Sequence, residues 1–100
     1  MCGYLYKNRL TLNNDFEIVN VLYDCGATTS YWNMVYILPK GDGLSEFQKL
    51  NKRHLAFSAY RCYFEDLELK VLDKNKIKIK TKCKEKLFHK SLVNGVTVVL

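Results

Sequence analysis

Residues 76–84 read KIKIKTKCK, the most regular pattern in the chain. Successive side chains of an extended strand point to opposite sides, so the lysines share one side while Ile77 and Ile79 occupy the other. Residues two apart lie roughly 6.6 Å from each other, so five lysines cover about 26 Å of one face. The pattern predicts a strand with one apolar and one basic face. The lysines on the basic face are Lys76, Lys78, Lys80, Lys82 and Lys84.

Alternation of the same kind occurs upstream and predicts an antiparallel sheet. Three strands are expected before residue 40, over residues 4–12, 16–25 and 30–38. The third is apolar on both faces, which predicts a central strand covered on both sides. In the first, one face is expected to carry Tyr4, Tyr6, Leu10 and Leu12.

Turn signals divide the rest of the chain. Residues 13–15, 73–75 and 94–95 carry the short polar side chains and glycine that favour tight turns. Ser45 and Gln48 have the spacing of a capping box, which predicts one short helix. The sequence therefore predicts an α+β fold, mainly antiparallel β-sheet with about six strands and one short helix, in a single domain over residues 1–100.

The net charge of +6 is local rather than general. Residues 70–90 hold nine of the sixteen basic residues and only two acids, Asp73 and Glu85. The chain begins without the apolar stretch of a signal peptide and contains no run long enough to span a membrane. We therefore expect a cytoplasmic protein whose basic segment has a specific role.

The four cysteines, Cys2, Cys25, Cys62 and Cys83, are far apart, and none forms a C-x-x-C pair. For a chain without an export signal this spacing predicts free buried thiols rather than a disulfide framework. It matches no zinc-site spacing either, so we expect no metal and no cofactor.

Residues 24–30, DCGATTS, followed by residues 35–41, VYILPKG, form a second distinctive feature. They resemble a group of small uncharacterised bacterial proteins and lipoproteins in which Asp-Cys-Gly-Ala-Thr-Thr precedes a strand ending in Pro-Lys-Gly. Some proteins of this kind are similar to immunity proteins of bacterial toxin systems, including contact-dependent growth inhibition. The resemblance implies a cognate protein toxin as the partner. Many of the group carry an export signal and lipid anchor, which this chain lacks, so location is not carried over.

Catalytic chemistry finds little support in the sequence. Cys25 would need a base, and no motif links it to the two histidines, His54 and His89. The CGATT segment is better explained as a turn in which Gly26 supplies an unusual backbone angle. The acidic residues around Glu65 resemble solvated turn residues rather than a catalytic pair. We therefore expect no catalytic residues and no enzymatic activity.

Three interpretations of the lysine strand stay open. Its lysines could protect an exposed or edge strand from aggregation, form a docking face for an acidic protein, or follow a nucleic-acid backbone. The nucleic-acid interpretation is less favoured because no aromatic residue alternates with the lysines to stack on bases. Tyr31 is expected to be an exposed interface anchor beside a core Trp32. The leading hypothesis is an immunity protein that occludes a toxin through the lysines and Tyr31, with nucleic-acid binding as the alternative.

Overall fold

The alternating stretches form two β-sheets in this computed structural model, which describes residues 3–24, 31–40 and 51–100. Nine strands lie within those ranges: β1 Gly3–Thr11, β2 Phe16–Asp24, β3 Tyr31–Pro39, β4 Leu55–Tyr60, β5 Leu67–Asp73, β6 Lys76–Thr81, β7 Phe88–His89, β8 Leu92–Val93 and β9 Val96–Val99. The first sheet has the order β1-β2-β3-β4-β7 and the second β5-β6-β9-β8. All pairings are antiparallel except the parallel pair β6–β9.

The fold is mainly β, so the α+β assignment needs correction. Helical structure in the described residues is limited to two 3-10 turns, Lys52–His54 and Phe64–Asp66. The Asn51 side chain caps the first of them by accepting a hydrogen bond from the Arg53 backbone at 3.1 Å. The predicted capping box, Ser45 and Gln48, lies outside the described residues. The dominance of antiparallel sheet is confirmed.

The main core lies between the two sheets. One face of the first sheet and one face of the second contribute the fully buried side chains Ile18, Ile37, Phe57, Ile77 and Val98. β3 is the middle strand of five, and its Val35 and Ile37 point into this core, whereas Tyr36 and Leu38 are buried on the opposite face. The predicted central strand with two covered faces is confirmed.

The expected single apolar face of β1 is wrong. A bulge between Tyr6 and Asn8 shifts the register, so Tyr4 pairs with Tyr23 but Leu10 pairs with Ile18. Because adjacent positions on β2 face opposite ways, the bulge moves the second half of β1 to the other face of the sheet. Leu10 and Leu12 accordingly pack in the core between the sheets, and Tyr4 packs on the outer side.

Cys62 and Cys83 form a disulfide, so free thiols were the wrong expectation for this pair. The two residues are 21 positions apart in sequence, but their Cα atoms are 5.6 Å apart because the ends of β4 and β6 meet. Cys62 is fully buried at this junction. Cys2 and Cys25 lie outside the described residues.

The predicted turns are confirmed where they join strands. Asn13 Oδ1 accepts hydrogen bonds from the backbone of Asp15 and Phe16, at 2.8 and 2.9 Å. Its Nδ2 donates to the carbonyl of Lys74 at 2.8 Å, which ties the β1–β2 turn to the β5–β6 turn of the other sheet. Asn94 and Gly95 adopt φ of 52° and 77°, as a two-residue hairpin turn requires. Across the described ranges, no helix has the length and apolar character needed to cross a membrane.

Candidate binding surfaces

The lysines of the KIKIKTKCK stretch project from the second sheet away from the core. Lys76 and Lys80 are exposed and Lys78 is partly buried, whereas Ile77 and Ile79 between them are buried. Lys82 and Lys84 are exposed but follow the strand, which ends at Thr81. The predicted alternation is therefore confirmed over residues 76–81, and three of the five lysines belong to the sheet itself.

β6 is not an edge strand along its first half. β5 pairs with it on one side, and β9 pairs with residues 76–78 on the other. Lys76 and Lys78 therefore stand on a continuous sheet surface. From Ile79 onward, β5 is the only described strand that pairs with β6. Edge protection can thus explain lysines at the far end of the strand but not those in its first half.

Cross-strand neighbours determine how basic this surface is. Directly opposite residues of an antiparallel pair share a face of the sheet. Lys78 lies opposite Lys70, whereas Lys80 lies opposite Glu68 and Lys76 opposite Asp73. None of these lysines forms an ion pair with a carboxylate of the described residues. Positive charge is therefore concentrated midway along the β5–β6 pair, on Lys70 and Lys78.

Acidic residues surround the far end of the strand. A concavity of about 260 Å³ is lined there by Lys80 and Lys82 together with three carboxylates, Glu65, Asp66 and Glu68. The carbonyl of Asp66 accepts hydrogen bonds from the Thr81 hydroxyl at 2.8 Å and from the Lys82 backbone at 3.4 Å. Five equivalent lysines were expected, but the charges at this end are mixed.

Polar and apolar side chains extend this surface beyond Lys76, onto β9 and β8. Thr97 of β9 pairs with Lys76 and with Leu92 of β8, so the three share the outer side of the sheet. Leu92 is 58% exposed, the highest value among the large apolar side chains described. We call this surface the lysine face, made of Lys70, Lys76, Lys78, Lys80, Leu92 and Thr97.

Tyr31 does not belong to the lysine face. It shares a face of β3 with Val35 and Ile37, whose side chains point into the core between the sheets. Its ring is half-buried and stacks on Tyr63, with ring centroids 4.4 Å apart. A hydrogen bond with Tyr63, and to a smaller extent desolvation, raises the pKa of Tyr31 from 10.0 to about 12. Tyr31 is therefore half-buried rather than exposed and lies apart from the lysines, while its expected role in partner binding stays a prediction.

A second surface, which the sequence did not indicate, lies on the outer side of the first sheet. A cavity of about 530 Å³ opens there between β2, β3, β4 and β7. Trp32 is half-buried beside it and packs against Tyr60, with ring centroids 4.9 Å apart. The described side chains that line it are Tyr23, Trp32, Met34, Lys52, Leu55, Ser58, Lys86 and Phe88. We call it the aromatic cavity.

Two lysines of the aromatic cavity are held in defined turns. Lys86 has a φ of 46°, uncommon for a side chain with a Cβ, and its Nζ lies 4.8 Å from the centre of the Tyr60 ring. The carbonyl of the preceding residue, Glu85, accepts a hydrogen bond from the Tyr60 backbone at 3.0 Å. Lys52 begins the 3-10 turn capped by Asn51, and its carbonyl accepts a hydrogen bond from the Leu55 backbone.

Both histidines form hydrogen bonds with distant segments of the chain. Asn94 Nδ2 donates to His54 Nδ1 at 2.9 Å and to the carbonyl of Ile37 at 2.8 Å, so the buried His54 is part of a hydrogen-bonded link between the sheets. His89 Nε2 lies 2.7 Å from the carbonyl oxygen of Val98. Cys25, the candidate nucleophile, lies outside the described residues. Within them, no group of three histidine, cysteine or carboxylate residues is placed to hold a metal ion.

The aromatic cavity escaped the sequence analysis because four distant segments form it. The available signal was that β3 is apolar on both faces, which required something to lie against Trp32 and Met34. Comparison with known proteins finds no matching family model, no matching curated protein and no matching solved structure.

Proposed function

We propose that the chain is a protein-binding module that docks an acidic surface of its partner on the lysine face. The observation that carries this proposal is the direct opposition of Lys70 and Lys78, midway along the pair formed by the edge strand β5 and its neighbour β6. Like charges at directly opposed positions destabilise a sheet, and a threonine or glutamate would relieve the repulsion. The presence of both lysines is explained if an acidic partner neutralises their charge.

The shape of the lysine face suits a protein partner. It is built on four hydrogen-bonded strands, and the exposed Leu92 lies opposite Thr97, which in turn pairs with Lys76. An apolar residue bordered by charged groups is typical of an interface in which burial supplies affinity and charge selects the partner. A standard interface buries about 800 Å² on each side, which is more than the lysine face alone offers, so neighbouring residues must contribute.

The resemblance of the DCGATTS and VYILPKG segments supplies the class of partner. We propose that the partner is a bacterial toxin and that this chain is its immunity protein, acting in the cytoplasm by covering the toxin's active surface. The toxin must present an acidic patch to Lys70 and Lys78. Cytoplasmic thiols are normally kept reduced, whereas Cys62 and Cys83 form a disulfide in the structure. The redox state of this pair in cells therefore tests the proposed cytoplasmic location. Thiol trapping in intact cells reads the state of this pair directly.

The experiment uses affinity capture with the full chain and two double variants, from lysate with and without nuclease. K70Q/K78Q removes two charges from the lysine face, and R53Q/K90Q removes two exposed charges that lie elsewhere. We expect a protein to be captured by the wild type and by R53Q/K90Q, and to be lost with K70Q/K78Q. Expressed alone, that protein should arrest growth, and co-expression with this chain should restore it.

Three outcomes contradict the proposal. Capture that disappears after nuclease treatment identifies nucleic acid as the ligand, the alternative that the lysine spacing also permits. Capture of a protein that is not toxic removes the immunity role but keeps the docking surface. Equal capture by the wild type and K70Q/K78Q removes the docking surface itself.

A further inference from the structure

We propose that the aromatic cavity binds a small amphipathic anion, with an apolar body among the rings and a single carboxylate near the lysines. This site lies on the first sheet and does not depend on the proposed docking by the lysine face. Its volume of about 530 Å³ falls within the range typical of small-molecule sites, roughly 300–1,000 Å³.

The lining is suited to an apolar body. Trp32 and Phe88 provide aromatic surface, and Met34 and Leu55 provide aliphatic surface beside them. Phe88 is 43% exposed although it is part of β7, so one wall of the cavity is an aromatic ring that faces solvent. Covering such rings with an apolar ligand removes apolar surface from water, which favours binding.

The charge of the lining selects an anion. Among the described residues of the lining, Lys52 and Lys86 are the two that carry charge, and neither a glutamate nor an aspartate is present. The concavity beside Lys80 is different, because three carboxylates surround its lysines. An anionic head group in the aromatic cavity would therefore meet two ammonium groups that are exposed and without an ion-pair partner among the described residues.

The position of Lys86 is fixed by the fold around it. The Cys62–Cys83 disulfide holds the chain three residues before it, and the Tyr60–Glu85 backbone hydrogen bond holds the chain one residue before it. The positive φ of Lys86 then directs its side chain over the Tyr60 ring. Fixing a charged group before binding reduces the entropy lost when the ligand arrives. Ser58, buried between Met34 and Phe88 on the neighbouring strands, adds a hydroxyl to the lining.

Trp32 makes binding directly measurable because it is the only tryptophan of the chain. The probes are octanoate, octanol and octylammonium, which share an apolar body and differ in charge. We expect octanoate to shift the emission of Trp32 to shorter wavelength in a saturable way. Octanol should bind at least about fivefold more weakly, and octylammonium more weakly still.

Variants separate the apolar and ionic contributions. K52Q/K86Q should weaken octanoate binding by about fivefold or more and leave octanol unchanged, because only the head-group contacts are lost. R53Q/K90Q also removes two positive charges, but from residues outside the described lining, and should bind all three probes like the wild type. Phe88→Ala should weaken all three by about threefold or more, since it removes an exposed apolar wall.

Several results overturn this proposal. The cavity does not select anions if the three probes shift Trp32 emission equally, or if K52Q/K86Q binds octanoate like the wild type. It is not a small-molecule site if none of the probes gives a saturable shift. A Trp32 emission that depends on protein concentration without any probe would identify a second copy of the chain as the occupant.

Discussion

Lys70 of β5 lies directly opposite Lys78 of β6, midway along the pair that the edge strand β5 forms with its neighbour in a four-stranded sheet. The pair places two positive charges on one face where most sheets place opposite charges or an uncharged pair. Glu68 and Lys80, two residues away on the same two strands, are directly opposed residues of opposite charge. The repulsion is therefore confined to the Lys70–Lys78 pair. A substitution at this pair allows its effect on stability and its effect on partner binding to be measured separately.

Replacing Lys78 with threonine should raise the free energy of unfolding by about 0.3–1 kcal/mol, because it removes the repulsion and introduces a residue that favours strands. Urea unfolding at low salt measures the change, and added salt should reduce it. Lys80→Thr is the matched control: it removes a lysine opposite Glu68 and should leave stability unchanged or lower it slightly. Equal stabilisation by both variants would show that strand propensity alone is responsible.

Reducing the Cys62–Cys83 disulfide should lower the free energy of unfolding by about 3 kcal/mol, because the bond closes a long loop in the unfolded chain. Urea unfolding with and without reductant measures this loss. C62A/C83A should unfold identically under both conditions. If reductant leaves the wild-type midpoint unchanged while thiol labelling shows the pair to be reduced, the bond does not stabilise this fold.

Replacing Asn33 with alanine should cost about 2–3 kcal/mol of stability. Asn33 is fully buried, accepts a hydrogen bond from Asn20 and donates one to the carbonyl of Tyr63 at 2.9 Å. Its loss leaves buried polar groups without partners. Because the two asparagines act together, N20A/N33A should cost less than the sum of the single variants in a double-mutant cycle. Strict additivity would argue against a coupled pair.

Tyr31 should ionise at a higher pH than its ordinary pKa of 10.0. Its pKa is raised to about 12 mainly by the hydrogen bond with Tyr63, so the folded chain holds this proton more tightly than the unfolded chain does. The stabilisation is complete below pH 10.0, the ordinary pKa, and is lost as the pH rises towards about 12. Phenolate absorbance of the wild type minus that of Tyr31→Phe isolates this titration.

Tyr63→Phe provides the matched test of the cause. It keeps the stacked ring but removes the hydroxyl, so the pKa of Tyr31 should return towards 10.0. An unchanged Tyr31 titration in that variant would mean that desolvation, rather than the hydrogen bond, is responsible.

The sequence predicted those parts of the fold that depend on local pattern. Alternation identified β3 and the first part of the lysine stretch, and the polar turns at 13–15, 73–75 and 94–95 placed three of the strand connections correctly. It could not place the bulge in β1, where one extra residue moves the second half of the strand to the other face. That bulge carries no local signal, since the hydrophobic pattern fits an unbroken strand equally well.

The functional surfaces were predicted less completely because they depend on long-range pairing. The position of Lys70 next to Lys78 requires the register of β5 and β6, which a second bulge between Val71 and Asp73 sets. Tyr31 was expected to be exposed, but Tyr63, which stacks on it, is 32 residues away in sequence. The disulfide and the aromatic cavity likewise join segments that have no motif in common.

The proposed function depends on Lys70 and Lys78 forming the docking site for an acidic protein partner. Quantitative capture from nuclease-treated lysate, with the wild type, K70Q/K78Q and R53Q/K90Q side by side, tests it most directly. Docking on these two lysines predicts one protein retained by the wild type and R53Q/K90Q and reduced about tenfold or more with K70Q/K78Q. Equal retention by all three, or no protein retained by the wild type, would contradict it.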